Sequence, residues 1–233
     1  MEQNEPGNVL LIETFYTWDN GSTMHAQKIF IQWILYSSLF FWVGMLKAQE
    51  PGSKDWHLVK QKNGIEVFTA PGGHDGLKLI KVIAEMNGSL QKVKEVFTNI
   101  PIQAEWVYAT RKSYLVKKMD ENSMLYYNET GLPWPASNRD VVIHMVMKED
   151  PPLKSLQIRQ EAEPGTLPVR KGLVRVQHLS GHWNFTETGN NKLKAIYFLD
   201  VDPGGSLPAW VVNLFIAKGP YETFVKLQQL LNE

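Results

Sequence analysis

The residues best suited to chemistry lie at positions 131–140, which read Gly-Leu-Pro-Trp-Pro-Ala-Ser-Asn-Arg-Asp. Arg139 and Asp140 place a guanidinium group beside a carboxylate at the start of an apolar stretch, which suits an ion pair or contact with a ligand headgroup. The prolines on either side of Trp134 fix φ and remove hydrogen-bond donors, so we expect a stiff, extended crossing outside the central sheet ladder. A structural ion pair is the favoured interpretation of Arg139 and Asp140, and ligand contact is the alternative.

Other side chains at chemically suggestive spacings do not add up to a site. His178 and His182 are four residues apart in a strand-like stretch, and four strand residues span about 13 Å, too far for one metal ion without a sharp bulge. Asp140 and His144 fail the same distance test as a catalytic dyad. Residues 200–205 resemble part of a calcium loop but lack its later glutamate. We therefore predict no catalytic residue and no metal site.

Composition narrows the class of protein. The chain has 233 residues, of which 43% are hydrophobic and 11% aromatic, which is enough for a sizeable core. It carries 24 basic and 24 acidic residues, so no basic surplus favours nucleic acid as a partner. Its cysteine count of zero excludes disulfides, thiol catalysis and cysteine-ligated zinc.

Residues 24–48 have the layout of an export signal. Lys28 precedes an apolar run over residues 29–46, and Ala48 follows as a small residue where a signal peptidase can cut. An uncleaved membrane anchor is the alternative, because a helix over this run would be about 27 Å long, borderline for a bilayer. A buried helix is disfavoured by the lack of polar periodicity. Residues 1–23 are acidic and unpatterned, so we expect a non-native or disordered extension before a true start at Met24.

The remainder, residues 52–232, is predicted to be one α+β domain. Residues 54–62 suggest a short helix, and Ser89 is a good N-cap for a helix that follows it. A long helix is predicted over residues 208–230, with a bend at Pro220. Turn signals separate the predicted strands, which are residues 64–70, 77–86, 110–118, 124–130, 139–148, 155–162, 174–186 and 193–201. This order predicts a curved antiparallel sheet with helices on one face.

Alternation in the strands predicts which side chains face inward. An inward row on residues 139–148 contains Val141, Ile143, Met145 and Met147. Leu156 and Ile158 alternate in the same way on the next strand. Such a row suits ordinary core, and the two methionines also suit an adaptable cavity wall.

The final helix is apolar almost all round in its first half. Val211, Leu214 and Phe215 lie in this part. A helix of this kind is buried or touches something apolar. A core helix that plugs the sheet and a lid that contacts a ligand or a membrane both remain open.

Several fragments together resemble one known family. These are the Pro-Trp-Pro and Asn-Arg-Asp motifs of residues 133–140, the Gly-His-Trp of residues 181–183 and the Asp-Pro-Gly-Gly-Ser-Leu-Pro turn of residues 202–208 before Trp210. The chain is similar over residues 56–231 to START (steroidogenic acute regulatory protein-related lipid transfer) domains, and looks like a bacterial member. The resemblance implies a helix-grip fold, in which a curved antiparallel sheet wraps a long C-terminal helix around an internal apolar cavity.

The resemblance also implies a function. START domains bind or transfer single lipid molecules without a cofactor, so a lipid or other hydrophobic small molecule is the expected ligand, with transient membrane contact and no nucleic acid. Export to the periplasm is the expected location, and attachment to the inner membrane through residues 29–46 is the alternative. Trp134, Arg139 and Asp140 are expected to be structural. The predicted cavity lining is Tyr127, Val141, Ile143, Met145, Met147, Leu156, Ile158, Val211, Leu214 and Phe215.

Two other functions remain open at this point. One is an enzyme on the same fold, like the aromatase/cyclase relatives that act on polyketides. It would place titratable groups inside the tunnel, and the inward rows contain almost none. The other is an envelope interaction protein whose cavity is vestigial. Because one fold supports many functions, fold alone does not decide among them.

Overall fold

A computed structural model of the chain describes residues 54–232. The predicted extension over residues 1–23 and the predicted signal or anchor over residues 24–48 therefore lie outside the described residues. Within residues 54–232, no helix is both long enough and apolar enough to cross a membrane.

The described residues build one large sheet. Nine strands follow the spatial order β1-β2-β3-β10-β9-β7-β6-β5-β4 with antiparallel neighbours, and β8 adds a short parallel pairing to β6. This confirms the predicted antiparallel sheet. The bounds are β1 His57–Lys62, β2 Ile65–Ala70, β3 Leu79–Asn87, β4 Thr110–Lys118, β5 Ser123–Thr130, β6 Asn138–Asp150, β7 Ser155–Ala162, β8 Leu173–Arg175, β9 His178–Gly189 and β10 Lys192–Asp202.

Two predicted elements differ from the structure. The helix expected over residues 54–62 is wrong, because His57–Lys62 is an edge strand paired with β2. Asn63 and Gly64 both take positive φ, at 52° and 74°. An Asn-Gly pair in this conformation is a strong hairpin signal, and here it outweighs a weak helical pattern. The strand expected over residues 174–186 is divided into β8 and β9.

Helices cover one face of the sheet. The helix α1, Leu90–Thr98, begins where the Ser89 hydroxyl accepts a hydrogen bond from the Lys92 N–H, as the sequence predicts. A single turn, α2, spans Gln103–Trp106. The chain ends in α3, Ala209–Asn213, a π-helical turn, Leu214–Lys218, and α4, Gly219–Leu231. These three segments are called the C-terminal helix below.

The bend in the C-terminal helix has a local cause. Pro220 has no N–H to bond the carbonyl of Ile216, so the α-helical ladder is interrupted there. The wider π-helical turn lies at this interruption. Gly219 beside it is needed for close approach, since an added Cβ would lie 3.2 Å from Cδ1 of Tyr108.

The core lies between the sheet and these helices. Trp183 on β9 stacks on Phe224 of α4 at 5.1 Å between ring centroids, and Phe97 of α1 contacts the same indole edge-on at 5.2 Å. Aromatic pairs at these distances add to the stabilisation from burial alone. The C-terminal helix is therefore seated on the inner face of an antiparallel sheet, which confirms the expected helix-grip fold.

Candidate functional site

A cavity of about 220 Å³ lies between the inner face of the sheet, α2 and the C-terminal helix. Its walls are mostly aromatic and aliphatic, with a few uncharged polar groups. Residues from β4, β5, β6, β7, β9 and β10 form one side, and residues from the C-terminal helix form the other. The lining comprises Gln103, Trp106, Val107, Tyr108, Thr110, Tyr126, Asn128, Thr130, Val141, Ile143, Gln160, Leu179, Trp183, Tyr197, Leu199, Val201, Phe215, Gly219, Pro220, Thr223 and Phe224.

Three of the residues predicted from sequence line this cavity. Val141 and Ile143 contribute the start of the inward row on β6, and Phe215 contributes the π-helical turn. Their positions agree with the alternation and with the apolar character of the final helix. Contact of these three with a ligand stays a prediction.

The rest of the predicted inward row belongs to the solid core. Met145, Met147, Leu156 and Ile158 are buried but are not part of the cavity wall. These residues lie in the C-terminal half of β6 and in the part of β7 that pairs with it. At the same end of β6, Lys94 of α1 forms a 2.6 Å ion pair with Glu149. The inward orientation predicted for these four residues fits their burial, but in the structure they pack in the core rather than line this cavity, and contact of these residues with a ligand stays a prediction.

Tyr127 was expected in the cavity, and the structure corrects this by one residue. Tyr126 lines the cavity, and the Tyr127 ring instead stacks on Tyr114 with Arg170 over it at 4.7 Å from the ring centroid. Alternate strand residues face opposite sides, and Tyr126, not Tyr127, pairs with Ile143. Burial, with the Asp140 charge adding to it, raises the pKa of Tyr127 to about 12.

The first turns of the C-terminal helix contribute less than expected. Val211 is fully buried and Leu214 is half-buried, yet neither lines the cavity. The helix turns its later residues, Thr223 and Phe224 among them, toward the cavity instead. The interruption before Pro220 shifts which helical positions face the sheet, which a regular helical period does not anticipate.

Polar side chains missed by the sequence reasoning lie inside the cavity. Gln160 donates from Nε2 to the Tyr126 hydroxyl at 2.8 Å and accepts at Oε1 from Trp183 Nε1 at 2.9 Å. Asn128 donates from Nδ2 to Oε1 of Gln103 at 3.1 Å. The sequence did contain a signal for these side chains, because Asn128 and Gln160 occupy inward positions in strands whose other inward residues are mostly apolar. A polar residue at an inward position marks either a buried network or a ligand contact.

Three polar atoms in the cavity wall have no partner. They are Nε2 of Gln103, Oδ1 of Asn128 and Nε1 of Trp106, all buried without a hydrogen bond to any residue in the range 54–232. Gln103 and Trp106 are each 1% exposed and Asn128 is 6% exposed. Buried polar groups are normally paired, so these three atoms mark this part of the wall as a candidate polar contact.

The cavity is uncharged. Its lining, taken over the part of the chain that the structure describes, contains no Asp, Glu, Lys, Arg or His. Burial raises the pKa values of Tyr126 and Tyr197 well above the ordinary tyrosine value, so both hydroxyls stay protonated. The arrangement suits binding of an apolar molecule with a small polar group, and it offers no acid–base pair.

A group of metal-binding side chains lies outside the cavity. His74, Asp75 and Asp202 bring ligand atoms within 4.8 Å of one another. His74 and Asp75 are exposed, and the His74 ring stacks on His178 at 4.2 Å between centroids. Exposed clusters of this kind are common without an ion, and none of the three residues lines the cavity.

The arginine and aspartate of the 131–140 segment do not pair with each other. Asp140 accepts two hydrogen bonds from Arg175, at 2.8 Å and 2.9 Å, and the hydrogen bond raises the pKa of Arg175. Arg139 instead donates to the carbonyls of Pro203 at 3.1 Å and Gly204 at 2.8 Å. Neighbouring strand residues face opposite ways, which separates the two side chains. A structural role for both fits these bonds, and Arg175 is the partner that sequence reasoning missed.

Trp134 differs from the other two motif residues. Its side chain is 89% exposed, so it contributes little packing. The segment around it lies outside the ladder as expected, but it is a turn rather than an extended crossing, because the Ala136 N–H bonds the Pro133 carbonyl at 3.0 Å. Trp134 is therefore exposed to solvent, whereas Arg139 is buried and hydrogen-bonded within the protein.

Comparison with known proteins gives a consistent result. The START domain profile matches residues 44–233. A Pseudomonas aeruginosa protein described as uncharacterized protein PA1579 is 26% identical over 177 residues, covering 76% of this chain and 86% of that protein. Mouse phosphatidylcholine transfer protein is 24% identical over 176 residues, covering 74% and 81%. The crystal structure of a STAR-related lipid transfer protein from Xanthomonas axonopodis superposes with a TM-score of 0.69 at 28% identity, covering 76% of this chain and 99% of that one.

Proposed function

Because this chain belongs to the START domain family, we propose that it binds a single lipid molecule in the cavity beneath the C-terminal helix and carries it between membranes. The observation that carries this proposal is the cavity itself, a mostly apolar, uncharged space between the sheet and the helix. Each methylene transferred from water into such a space contributes about 0.8 kcal/mol.

The cavity must enlarge to take a lipid with long chains. Its volume is about 220 Å³, and ligand sites are usually about 300–1,000 Å³. The C-terminal helix is the wall best placed to move, since its backbone ladder is interrupted at the π-helical turn before Pro220. We propose that outward movement of α3 and this turn admits the lipid.

Two exposed tryptophans support contact with a membrane during loading. Trp134 is 89% exposed and Trp210, in α3, is 52% exposed. Arg139 links the segments that carry them, because it bonds the carbonyls of Ser137 on one side and of Pro203 and Gly204 on the other. Tryptophan is enriched at membrane–water interfaces. We propose that both indoles enter the headgroup region together.

The proposed activity is binding without catalysis. A cyclase-type enzyme needs a group that exchanges protons near neutral pH. The titratable side chains in the described lining are tyrosines, and burial raises the pKa values of Tyr126 and Tyr197. This supports a binding protein over an enzyme.

Export is proposed from the sequence of residues 24–48, and a membrane anchor through residues 29–46 remains the alternative. Sequencing the N-terminus of the native protein from fractionated cells separates the two. A soluble chain that begins after Ala48 supports export with cleavage. An intact apolar run in the membrane fraction supports the anchor.

The proposed function is tested by lipid extraction and transfer. The purified chain is analysed by native mass spectrometry and then mixed with donor and acceptor vesicles of a mixed bacterial lipid extract. We expect one bound lipid per chain and accelerated transfer between vesicles. An empty protein that takes up nothing from the vesicles would refute the proposal.

A further inference from the structure

The polar side chains of the residues that line the cavity divide into a satisfied set and an unsatisfied set. Gln160 bonds both Tyr126 and Trp183, so its amide is used at both ends. The amides of Gln103 and Asn128 bond each other at 3.1 Å, and the Gln103 amide also lies close enough to the Tyr126 hydroxyl to lower its pKa against the effect of burial. Trp106 belongs to the same helical turn as Gln103, and its indole N–H has no partner within residues 54–232.

The unpaired donors and acceptors in the unsatisfied set can be counted. The Gln103–Asn128 bond leaves one amide donor, Gln103 Nε2, and one amide acceptor, Asn128 Oδ1. Exchanging the oxygen and nitrogen of both amides would again leave one donor and one acceptor. Trp106 Nε1 adds a second donor. The cluster therefore offers two donors and one acceptor.

A hydroxyl group is complementary to these two donors and one acceptor. It carries one donor and two acceptor lone pairs. Buried polar groups without partners are costly, and a bound group that completes them removes that cost. The surplus therefore favours a ligand whose polar end is a hydroxyl.

Charged headgroups do not fit the same place. The lining within residues 54–232 provides no charged side chain to pair a phosphate, a carboxylate or an ammonium group, and a buried ion without a partner is strongly disfavoured. A quaternary ammonium can also bind an open aromatic face. Trp183, the central indole, has its ring stacked on Tyr197 at 3.9 Å and on Phe224 at 5.1 Å, so other rings already pack against it.

We propose that Gln103, Asn128 and Trp106 select a lipid with an uncharged hydroxyl headgroup and disfavour lipids with a charged one. This rests on the lipid-binding function proposed above and specifies the class of ligand. It also separates this chain from its relative in mouse, whose name gives phosphatidylcholine, a charged zwitterion, as the lipid transferred.

The test compares three probes with one hydrocarbon chain. They are a long-chain primary alcohol, its methyl ether and the carboxylic acid of the same chain, which is ionised at neutral pH. Each competes with a fluorescent apolar probe for the full-length protein. We expect the alcohol to bind at least about tenfold more tightly than either analogue, because a site built to bond a hydroxyl rejects molecules that lack its donor.

Variants locate the selectivity. The double variant Gln103→Met and Asn128→Leu keeps side-chain size and removes both amides, and it should reduce the preference for alcohol over ether to about threefold or less. Gln157→Met with Asn184→Leu is the matched control and should leave the preference unchanged. These two exposed residues are opposite each other on the neighbouring strands β7 and β9, outside the cavity. Trp106→Phe removes one donor and is used if the double variant does not fold. It should reduce the preference for alcohol over ether by half or more.

The outcomes separate this inference from the proposed function. Equal binding of all three probes to the wild type overturns the headgroup inference and leaves lipid binding intact. A preference for alcohol that survives in the folded double variant also overturns it. Binding of none of the probes overturns both proposals. Tighter binding of the carboxylate contradicts the uncharged headgroup directly.

Discussion

Two buried polar clusters lie on opposite faces of the sheet near the start of β6, and they differ in whether their hydrogen bonds are complete. On the outer face, Asp140 and Arg175 form a bidentate ion pair, and Arg175 also donates to backbone carbonyls of Pro164 and Leu167. On the inner face, Gln103 and Asn128 bond each other and leave atoms unpaired. The completed cluster holds the chain in place, and the incomplete one is available to a ligand.

The family motif is thereby separated from the proposed binding site. The most recognisable residues of the sequence, Arg139 and Asp140, form bonds within the protein. The cavity wall, which begins at Val141 on the same strand, has its polar groups on inconspicuous amides and aromatic side chains. The recognisable motif and the proposed ligand selectivity reside in different side chains, so motif matching identifies the fold without identifying the ligand.

The largest expected effect is on the completed cluster. Asp140→Ala leaves the buried Arg175 guanidinium without its counter-ion, and loss of one partner of a buried ion pair costs about 3–5 kcal/mol. Urea denaturation should show this loss in the free energy of unfolding. Glu187→Ala, at an exposed position on β9, serves as the control and should change it by less than about 0.5 kcal/mol. A loss below about 1 kcal/mol for Asp140→Ala would mean that the outer cluster is not structural.

The next effect distinguishes the two halves of the inward row. Met145 is fully buried in the solid core, so Met145→Ala should lower the free energy of unfolding by about 2–5 kcal/mol. Headgroup selectivity of the folded protein should not change, because Met145 does not line the cavity. Competition binding with the alcohol and its ether measures this. An altered ratio would return Met145 to the binding site.

Alkaline pH should weaken the fold through the cavity tyrosines. Burial holds the pKa values of Tyr126 and Tyr197 above that of an unfolded tyrosine, near 10. Their contribution to stability is present below about pH 10 and is lost as pH rises toward the folded pKa values. Each should lower the free energy of unfolding by up to about 1.4 kcal/mol per pH unit above pH 10.

Chemical denaturation at about pH 9 and about pH 11 measures this slope. Tyr197→Phe should remove the part of this pH-dependent loss of stability that comes from Tyr197. A free energy of unfolding that does not fall between the two pH values would show that both hydroxyls ionise freely in the folded protein.

The smallest expected effect is on the incomplete cluster. Gln103→Met with Asn128→Leu removes both amides and leaves Trp106 Nε1 as before, so the free energy of unfolding should change by less than about 1 kcal/mol. The same denaturation assay that reports Asp140→Ala checks it. A loss as large as that of Asp140→Ala would indicate that the amides are structural and would remove the contrast between the two clusters.

Local signals in the sequence predicted much of the fold. Alternation over β6 and the Ser89 cap correspond to a real strand and a real helix start, because both depend on neighbours along the chain. The site was harder to predict. Choosing Tyr126 over Tyr127 requires the register between β5 and β6, and separating Ile143 from Met145 requires the position of α1. Arg175 is 35 residues from Asp140, and no local pattern joins them.

Filling the cavity with a bulky side chain tests directly whether a lipid binds beneath the C-terminal helix. Ile143→Trp places an indole in the cavity wall, and Val146→Trp places the same group on the exposed face of the same strand. Bound lipid is counted by native mass spectrometry after incubation with vesicles, for variants whose near-ultraviolet circular dichroism shows a folded core. We predict that Ile143→Trp is empty and that Val146→Trp retains one lipid per chain. Equal lipid occupancy in the two folded variants would contradict the account.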